Sequence, residues 1–170
     1  TSLGMARSHF NSPLGVKAVM TIMFTAQGTF ATDGKTARPI EKLDFRLVEA
    51  GYDLVDINFG CPVRKVLGRC RGGFLLSEPD SALAIVQAVI QAVGGRRPVT
   101  VKMRRGFDDS SESERNFFSI LDGALGLGAA AITVHGRTVK QRYVGPSSWK
   151  FLGRVKRHAG PATILGSGDL

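Results

Sequence analysis

Short apolar runs alternate along the chain with longer stretches in which apolar residues recur every three or four positions. The runs have strand length and lie at 16–24, 52–59, 98–103, 130–135 and 161–165. The periodic stretches predict amphipathic helices and lie at 39–50, 77–93, 111–125 and 149–155. Residues 1–15 show little periodicity, and 25–37 form a polar, glycine-containing loop. Five strands alternating with four helices indicate one domain with a parallel α/β sheet.

Local signals define the predicted helix ends more closely than periodicity does. Pro39 and Pro79 each fall at the start of a helix, where the missing backbone N–H has no partner to lose. Gly94 suits the C-terminal end of the second helix. Ser111 and Glu114 have the spacing of a capping box at the start of the third helix.

Two architectures fit this alternation. A doubly wound five-strand sheet fits the 170 residues as they stand. A (β/α)8 barrel needs about 250 residues, so the chain would supply about five of its eight strands. Side-chain parity separates the two, because alternate residues of a strand face opposite sides. In the second strand, Val55, Ile57 and Phe59 form an apolar row, whereas Asp56 and Asn58 form a polar row.

The next two strands show the same division. Thr100 and Lys102 alternate with apolar residues in the third strand, as do Thr133 and His135 in the fourth. A sheet covered by helices on both faces should be apolar on both. Parity therefore favours a partial (β/α)8 TIM barrel, with Asn58, Lys102 and His135 at equivalent positions near the C-terminal strand ends. A lysine inside an apolar run needs a partner for its charge, such as a cofactor anion or carbonyl.

The most distinctive segment follows the second strand. Cys61 stands between Gly60 and Pro62, which places its side chain by a turn rather than by a core. The basic loop behind it ends at Gly72 and Gly73, where backbone can approach a ligand without a side chain in the way. These features indicate an active-site segment; a buried, inert cysteine is the alternative.

Positive charge follows the same strand ends. The net charge is +9, and nine cations lie after the second, third and fourth strands: Arg64, Lys65, Arg69, Arg71, Arg104, Arg105, Arg137, Lys140 and Arg142. In a barrel these loops share the rim that carries the active site. The sequence therefore predicts a polyanionic partner whose affinity falls with added salt.

Composition narrows the remaining classes. No apolar run reaches the length of a membrane span and no secretory signal is visible, so we expect no membrane association. The two cysteines, Cys61 and Cys70, make neither a disulfide framework nor a four-ligand metal site. We expect a cytoplasmic protein without a metal.

These residues resemble the tRNA-dihydrouridine synthases. The similarity covers about 51–170 and rests on 56–62, 65–66, 72–73, 101–106, 134–138, 166–170 and on Gln141, Tyr143, Gly145 and Trp149. The resemblance implies a barrel that holds FMN, a helical domain that is absent here, and reduction of tRNA uridines to 5,6-dihydrouridine with NADPH. It makes residues 1–170 a fragment of a single catalytic domain and implies a monomer at full length.

Carried over by position, the resemblance assigns Cys61 as the general acid that protonates uracil C5 after hydride reaches C6. An ordinary thiol is mostly protonated at neutral pH and can deliver that proton. Cofactor contacts are implied for Gln27, Lys102, His135, Gly166, Ser167, Gly168 and Asp169. Substrate contacts are implied for Asn58, Arg64, Lys65, Arg69, Arg137, Gln141 and Tyr143.

Two other functions stay open at this point. A flavoprotein that acts on a free pyrimidine would share the barrel and the acid, although a free base has no phosphates for the rim cations. A non-catalytic remnant that binds RNA, or nothing, would account for a chain with half of a cofactor site. Because an open half-barrel has two unpaired sheet edges, we expect the isolated chain to be poorly soluble or oligomeric.

Overall fold

The computed structural model describes the backbone of residues 5–8, 19–22, 29–30, 38–39, 52–68 and 70–169. Its strands are β1 Met5–Ser8, β2 Val19–Ile22, β3 Thr29–Phe30, β4 Arg38–Pro39, β5 Leu54–Phe59, β6 Val99–Arg104, β7 Ala131–His135 and β8 Ile164–Ser167. Its helices are α1 Arg64–Leu67, a 3-10 helix Gly72–Ser77, α2 Pro79–Val93, α3 Ser111–Gly126 and α4 Trp149–Ala159. Strands and helices thus alternate from β5 to β8.

The order of strands in the main sheet decides between the two architectures. Among the described residues, six strands pair in the order β1-β2-β5-β6-β7-β8. The last five are parallel and follow chain order, whereas β1 is antiparallel to β2. In a doubly wound sheet the order reverses at a switch point, so helices cover both faces. An order that advances in one direction places the helices on one face, as in a barrel wall. The partial-barrel prediction is confirmed.

The predicted parity of the strands is also confirmed. Val55, Ile57 and Phe59 are fully buried, while Asp56 and Asn58 between them stay partly exposed. The apolar rows of β5, β6 and β7 form one core with the apolar faces of α2 and α3. The polar rows therefore face the side that a closed barrel would enclose.

One predicted alignment is wrong. Asn58 pairs with Lys102, but the residue opposite Lys102 on β7 is Thr133, not His135. His135 lies two residues further along, opposite Arg104. His135 shares the polar face of the sheet, here called the inner face, but it belongs to the next layer toward the C-terminal rim. The prediction failed because it counted positions from the end of each strand, whereas the pairing of neighbouring strands sets the register.

Some predicted boundaries move when backbone geometry is known. Ser110, rather than Ser111, caps α3, since its Oγ accepts a hydrogen bond from Ser113 N at 3.1 Å. Gly94 ends α2 with φ of 58°, as expected. The final strand begins at Ile164 instead of residue 161 because 160–162 still form the turn after α4.

Other elements were not predicted. The basic segment after Cys61 contains α1 and the 3-10 helix instead of being one loop. β1 lies in the stretch left unassigned, and β3 lies in the predicted loop. Pro39 pairs with Thr29 in a short antiparallel ladder instead of opening a helix. The helix predicted at 40–50 lies outside the described residues.

Candidate active site at the C-terminal ends of the strands

Cys61 lies in a turn whose backbone is held on both sides. The amide of Gly60 donates a hydrogen bond to Asn58 Oδ1 at 2.8 Å. The carbonyl of Cys61 accepts from Gly73 N at 3.0 Å. The thiol itself is partly exposed. Asn58 thus orients the turn with its oxygen, and its side-chain amide hydrogens have no acceptor among the described residues.

The two glycines behind Cys61 allow a close approach, but to protein rather than to a ligand. A Cβ at Gly72, where φ is +56°, would lie 2.9 Å from Cys61 Cβ. A Cβ at Gly73 would lie 2.6 Å from Val139 Cγ2. Our expectation that these glycines admit a ligand is corrected: they let the 3-10 helix pack against Cys61 and the β7–α4 loop (136–148).

Asp56 is an ionisable group on the inner face below Asn58. Its Oδ1 accepts a hydrogen bond from Thr100 Oγ1 at 2.8 Å. Burial raises the pKa of Asp56 to about 6, although the Thr100 hydrogen bond and the positive charge of Lys102 act in the opposite direction. Lys102 is exposed on this inner face, so the charge expected to need a partner points toward the barrel interior.

His135 is held as a neutral donor. Its Nδ1 accepts a hydrogen bond from Arg137 N at 3.2 Å, which assigns the proton of the neutral ring to Nε2. Burial lowers the pKa of His135, and the cations Arg104, Arg137 and Lys102 lower it further, with Asp169 opposing them. The ring therefore presents an Nε2–H donor at neutral pH.

The segment 166–169 is bound to the β7–α4 loop. Asp169 forms an ion pair with Arg137, its Oδ2 accepts from Ser147 N at 3.2 Å, and its carbonyl accepts from Trp149 Nε1 at 2.8 Å. Gly168 has φ of +141°, and a Cβ there would lie 1.9 Å from Ser147 Oγ. These contacts hold the loop at the end of β8 beside His135.

Two hydroxyl groups near this segment lack partners. In the described part of the chain, Ser147 Oγ and Ser167 Oγ are buried and make no hydrogen bond. Such groups are costly unless a ligand or water satisfies them. Together with the His135 donor and the Lys102 ammonium, they fit an anionic, hydrogen-bonding group such as FMN. Gln27, the other predicted cofactor contact, lies outside the described residues.

The rim cations are less free than the sequence suggests. Arg105 bonds Asp109 Oδ1 at 2.5 Å and Gln141 Oε1 at 2.8 Å. Lys140 bonds Asp108 Oδ2 at 2.8 Å, and Arg137 Nε donates to Gly145 O at 2.6 Å. Of the predicted substrate contacts, Arg64 and Tyr143 are exposed. The side chains of Lys65 and Arg69 lie outside the described residues.

Gln141 and Arg104 have roles that the sequence did not reveal. Gln141 Oε1 also accepts from Thr138 N at 2.9 Å, so it stabilises the β7–α4 loop. Arg104 is buried, and among the described residues its hydrogen-bond acceptors are all backbone carbonyls. The one sequence feature that hinted at the role of Arg104 is strand parity, which places it on the inner face with Lys102. It does not reveal which carbonyls the side chain reaches.

Two further findings concern the described residues. They contain no group of three or more His, Cys, Asp or Glu side chains that could hold a metal ion. None of their helices is long and apolar enough to cross a membrane.

Several known proteins are similar to this chain in sequence. A family model described as "Dihydrouridine synthase (Dus)" matches residues 44–170. A probable tRNA-dihydrouridine synthase of Rhodobacter capsulatus is 36% identical over 137 residues, which are 81% of this chain and 40% of that protein. One of Mycobacterium tuberculosis is 40% identical over 119 residues, or 69% of this chain and 30% of that protein. The chain thus spans less than half the length of these relatives.

A solved structure resembles the fold alone. It is YagE, a prophage protein of the dihydrodipicolinic acid synthase family from E. coli K12, in complex with pyruvate. The TM-score is 0.54 with 20% sequence identity, and the match covers 84% of this chain and 42% of that one. The similarity is consistent with part of a TIM barrel.

Proposed function

The chain belongs to the dihydrouridine synthase (Dus) family, and we propose that the intact protein reduces uridines of tRNA to 5,6-dihydrouridine with FMN and NADPH. The observation that carries the proposal is the Cys61 turn beside Asn58, at the rim where Lys102 and His135 share the inner face. Barrel enzymes place their active sites at this rim. A lone thiol there suits proton donation better than metal binding or a disulfide.

The cofactor would lie on the inner face between β6 and β8. Lys102 would meet the part of the flavin where negative charge collects on reduction. The Nε2–H of His135 and the hydroxyl of Ser167 would donate hydrogen bonds, and Gly166, Gly168 and Asp169 would lie on the phosphate side. Gln27 is a further proposed contact. When bound, FMN supplies the hydride that adds to uracil C6.

Cys61 completes the reduction in this proposal. Its S–H bond breaks, the proton forms the new C5–H bond, and the sulfur keeps the electron pair as a thiolate that solvent reprotonates. The side-chain amide of Asn58 would donate to a carbonyl of the uracil ring, because its oxygen already accepts from Gly60 N. Asn58 thereby aligns both the turn and the base.

The rim residues would hold the RNA strand. Arg64 and Arg142 line an open groove of about 700 Å³ whose floor includes Leu67, Phe107 and Val139. Lys65 and Arg69 extend the same basic segment, and the exposed ring of Tyr143 can stack on a base. Arg137 and Gln141 would act mainly by shaping the β7–α4 loop, since their side chains are bound within it.

The test uses the intact protein, purified without added flavin. We expect the absorbance of bound flavin and the formation of dihydrouridine in unmodified tRNA when NADPH is supplied, measured by mass spectrometry of the digested RNA. Free uracil and uridine serve as controls and should react far more slowly. A protein that binds no flavin would support a remnant, and equal turnover of free uracil would support a pyrimidine enzyme.

A further inference from the structure

Arg104 connects two loops that no secondary-structure pairing joins. It is the last residue of β6 and only 4% exposed. Its Nε donates to Gly60 O at 3.0 Å, and one terminal nitrogen donates to Thr138 O at 3.0 Å and to Arg142 O at 2.6 Å. One guanidinium thus bonds the β5 turn on one side and the β7–α4 loop on the other.

On the first side, these bonds immobilise the residue that precedes the thiol. Gly60 is fixed at its amide by Asn58 and at its carbonyl by Arg104. The next carbonyl, that of Cys61, accepts from Gly73 N. The peptide groups around the thiol are therefore held by three separate parts of the chain, and Arg104 supplies the contact that comes from β6.

On the second side, Arg104 stabilises a strained residue. Arg142 has φ of 52°, a left-handed conformation that is unfavourable for a residue with a side chain. Arg104 donates a short hydrogen bond to the carbonyl of this residue and so helps to hold it in that conformation. The guanidinium carbon also lies 5.6 Å from the centroid of the Tyr143 ring, within the range of a cation–π contact. The Tyr143 side chain itself is 72% exposed to solvent.

The charge of Arg104 is balanced by carbonyl dipoles within the described residues, with no carboxylate among its hydrogen-bond partners. Burial lowers the pKa of Arg104 and the charge of Arg137 lowers it further, while Tyr143 and Cys61 act in the opposite direction.

We propose that Arg104 is the positioning residue for Cys61. By bonding both the Cys61 turn and the β7–α4 loop, Arg104 holds the turn in place so that the thiol faces the bound uracil. The inference rests on the proposed function. Arg104 thus acts through Cys61 instead of binding the RNA phosphates that its place in a basic motif suggests.

The test compares Arg104→Met with Arg97→Met in the intact protein. Arg97 also donates to backbone carbonyls, of Tyr52 and Arg96, but at the opposite end of β6. The measurement is single-turnover reoxidation of the NADPH-reduced enzyme by unmodified tRNA, together with flavin content and tRNA affinity. We expect Arg104→Met to slow reoxidation about 10²-fold, the order of loss for a misplacement of about 1 Å. Flavin content, tRNA affinity and the Arg97→Met rate should stay near wild type.

A double-mutant cycle with Cys61→Ala separates positioning from general stability. If Arg104 acts through Cys61, adding Arg104→Met to Cys61→Ala should slow reoxidation less than about threefold further, because coupled residues are not additive. Additive losses would overturn the proposal, as would a wild-type rate in Arg104→Met. A wild-type rate in Cys61→Ala alone would instead overturn the acid assignment.

Arg104→Lys guards against a misfolded variant. Lysine keeps the charge but can reach fewer of the three carbonyls, so we expect a rate between those of wild type and Arg104→Met. If Arg104→Lys and Arg104→Met both fail to fold, the residue serves stability rather than placement of the thiol, and the proposal is overturned.

Discussion

At the residue scale, burial favours the neutral forms of two groups on the inner face. It raises the pKa of Asp56 to about 6 and lowers the pKa of His135. Desolvation has opposite directions for an acid and a base because it penalises whichever form carries charge. The result is a neutral His135 donor near the rim and a carboxyl that gains its charge only as the pH approaches neutrality.

The raised pKa of Asp56 predicts that the free energy of unfolding depends on pH. Between its unfolded pKa of 3.8 and about 6, the folded state holds the proton more tightly, so this group's contribution to stability falls as the pH rises. Asp56→Asn should keep the Thr100 hydrogen bond and remove the dependence. We expect wild type to lose about 1 kcal/mol more than Asp56→Asn between pH 5 and pH 7 in urea denaturation.

Asp108→Asn is the matched control. Its ion pair and hydrogen bond with Lys140 lower the pKa of Asp108 to about 2, so the carboxylate is already charged throughout that range. Its stability contribution is present above the unfolded pKa of 3.8 and is lost only as the pH falls toward about 2. Parallel curves for wild type and Asp56→Asn would mean that Asp56 is not buried as described.

At the element scale, the N-terminal cap of α3 shows that alternation and propensity cannot decide the residue at which a helix begins. Ser110 and Ser111 are adjacent serines before α3, and the sequence pattern selects the wrong one. Ser110 has φ −73° and ψ 153°, and this extended backbone turns its hydroxyl toward Ser113 N. The choice depends on backbone angles that the preceding turn at 106–109 sets, not on the residue type.

The α3 cap gives a second prediction. Ser110→Ala should cost about 1 kcal/mol of stability, since the amide of Ser113 loses its acceptor. Ser111→Ala lies one residue away and should change the free energy of unfolding by only a few tenths of a kcal/mol. Urea denaturation of both variants checks this. Equal losses, or a larger loss for Ser111→Ala, would return the cap to the position that the sequence suggested.

Strand parity was predictable because alternation is local, whereas the contacts that build the site are not. Val55, Ile57 and Phe59 could be assigned to the core from their spacing alone. Arg104 could not be separated from its basic neighbours, because its acceptors are carbonyls 34 to 44 residues away. The ion pair between Arg137 and Asp169 is hidden for the same reason.

At the scale of the whole molecule, the sheet is a barrel wall with an open inner face. Leu165 on β8 is 52% exposed there, next to Thr133 in the register. The one-directional strand order could be anticipated from side-chain parity but not from the alternation of elements, which fits a doubly wound sheet equally well. The number of cations free to bind RNA could not be anticipated from the sequence. Four of the rim cations bond protein groups instead: Arg104, Arg105, Arg137 and Lys140.

The exposed position of Arg64 predicts how the proposed tRNA binding depends on salt. Arg64 is exposed beside the Cys61 turn and lines the basic groove. In the intact protein, Arg64→Ala should reduce the slope of log affinity against log salt by about 0.7–0.9 without loss of flavin. Arg154→Ala removes a cation that pairs with Glu114 on the helical side, and it should leave the slope unchanged. An unchanged slope in Arg64→Ala would place the RNA elsewhere.

The most direct test of the account is the reoxidation of NADPH-reduced intact protein by unmodified tRNA in Cys61→Ala. We expect normal flavin binding and normal reduction by NADPH, with the uridine-dependent step alone slowed by roughly 10² to 10⁴, the contribution of a positioned general acid. Cys61→Ser should also fall short of wild type. Cys70→Ala, which removes the other partly exposed thiol, should react normally. Reoxidation of Cys61→Ala at the wild-type rate would contradict the account, because another group would then supply the proton.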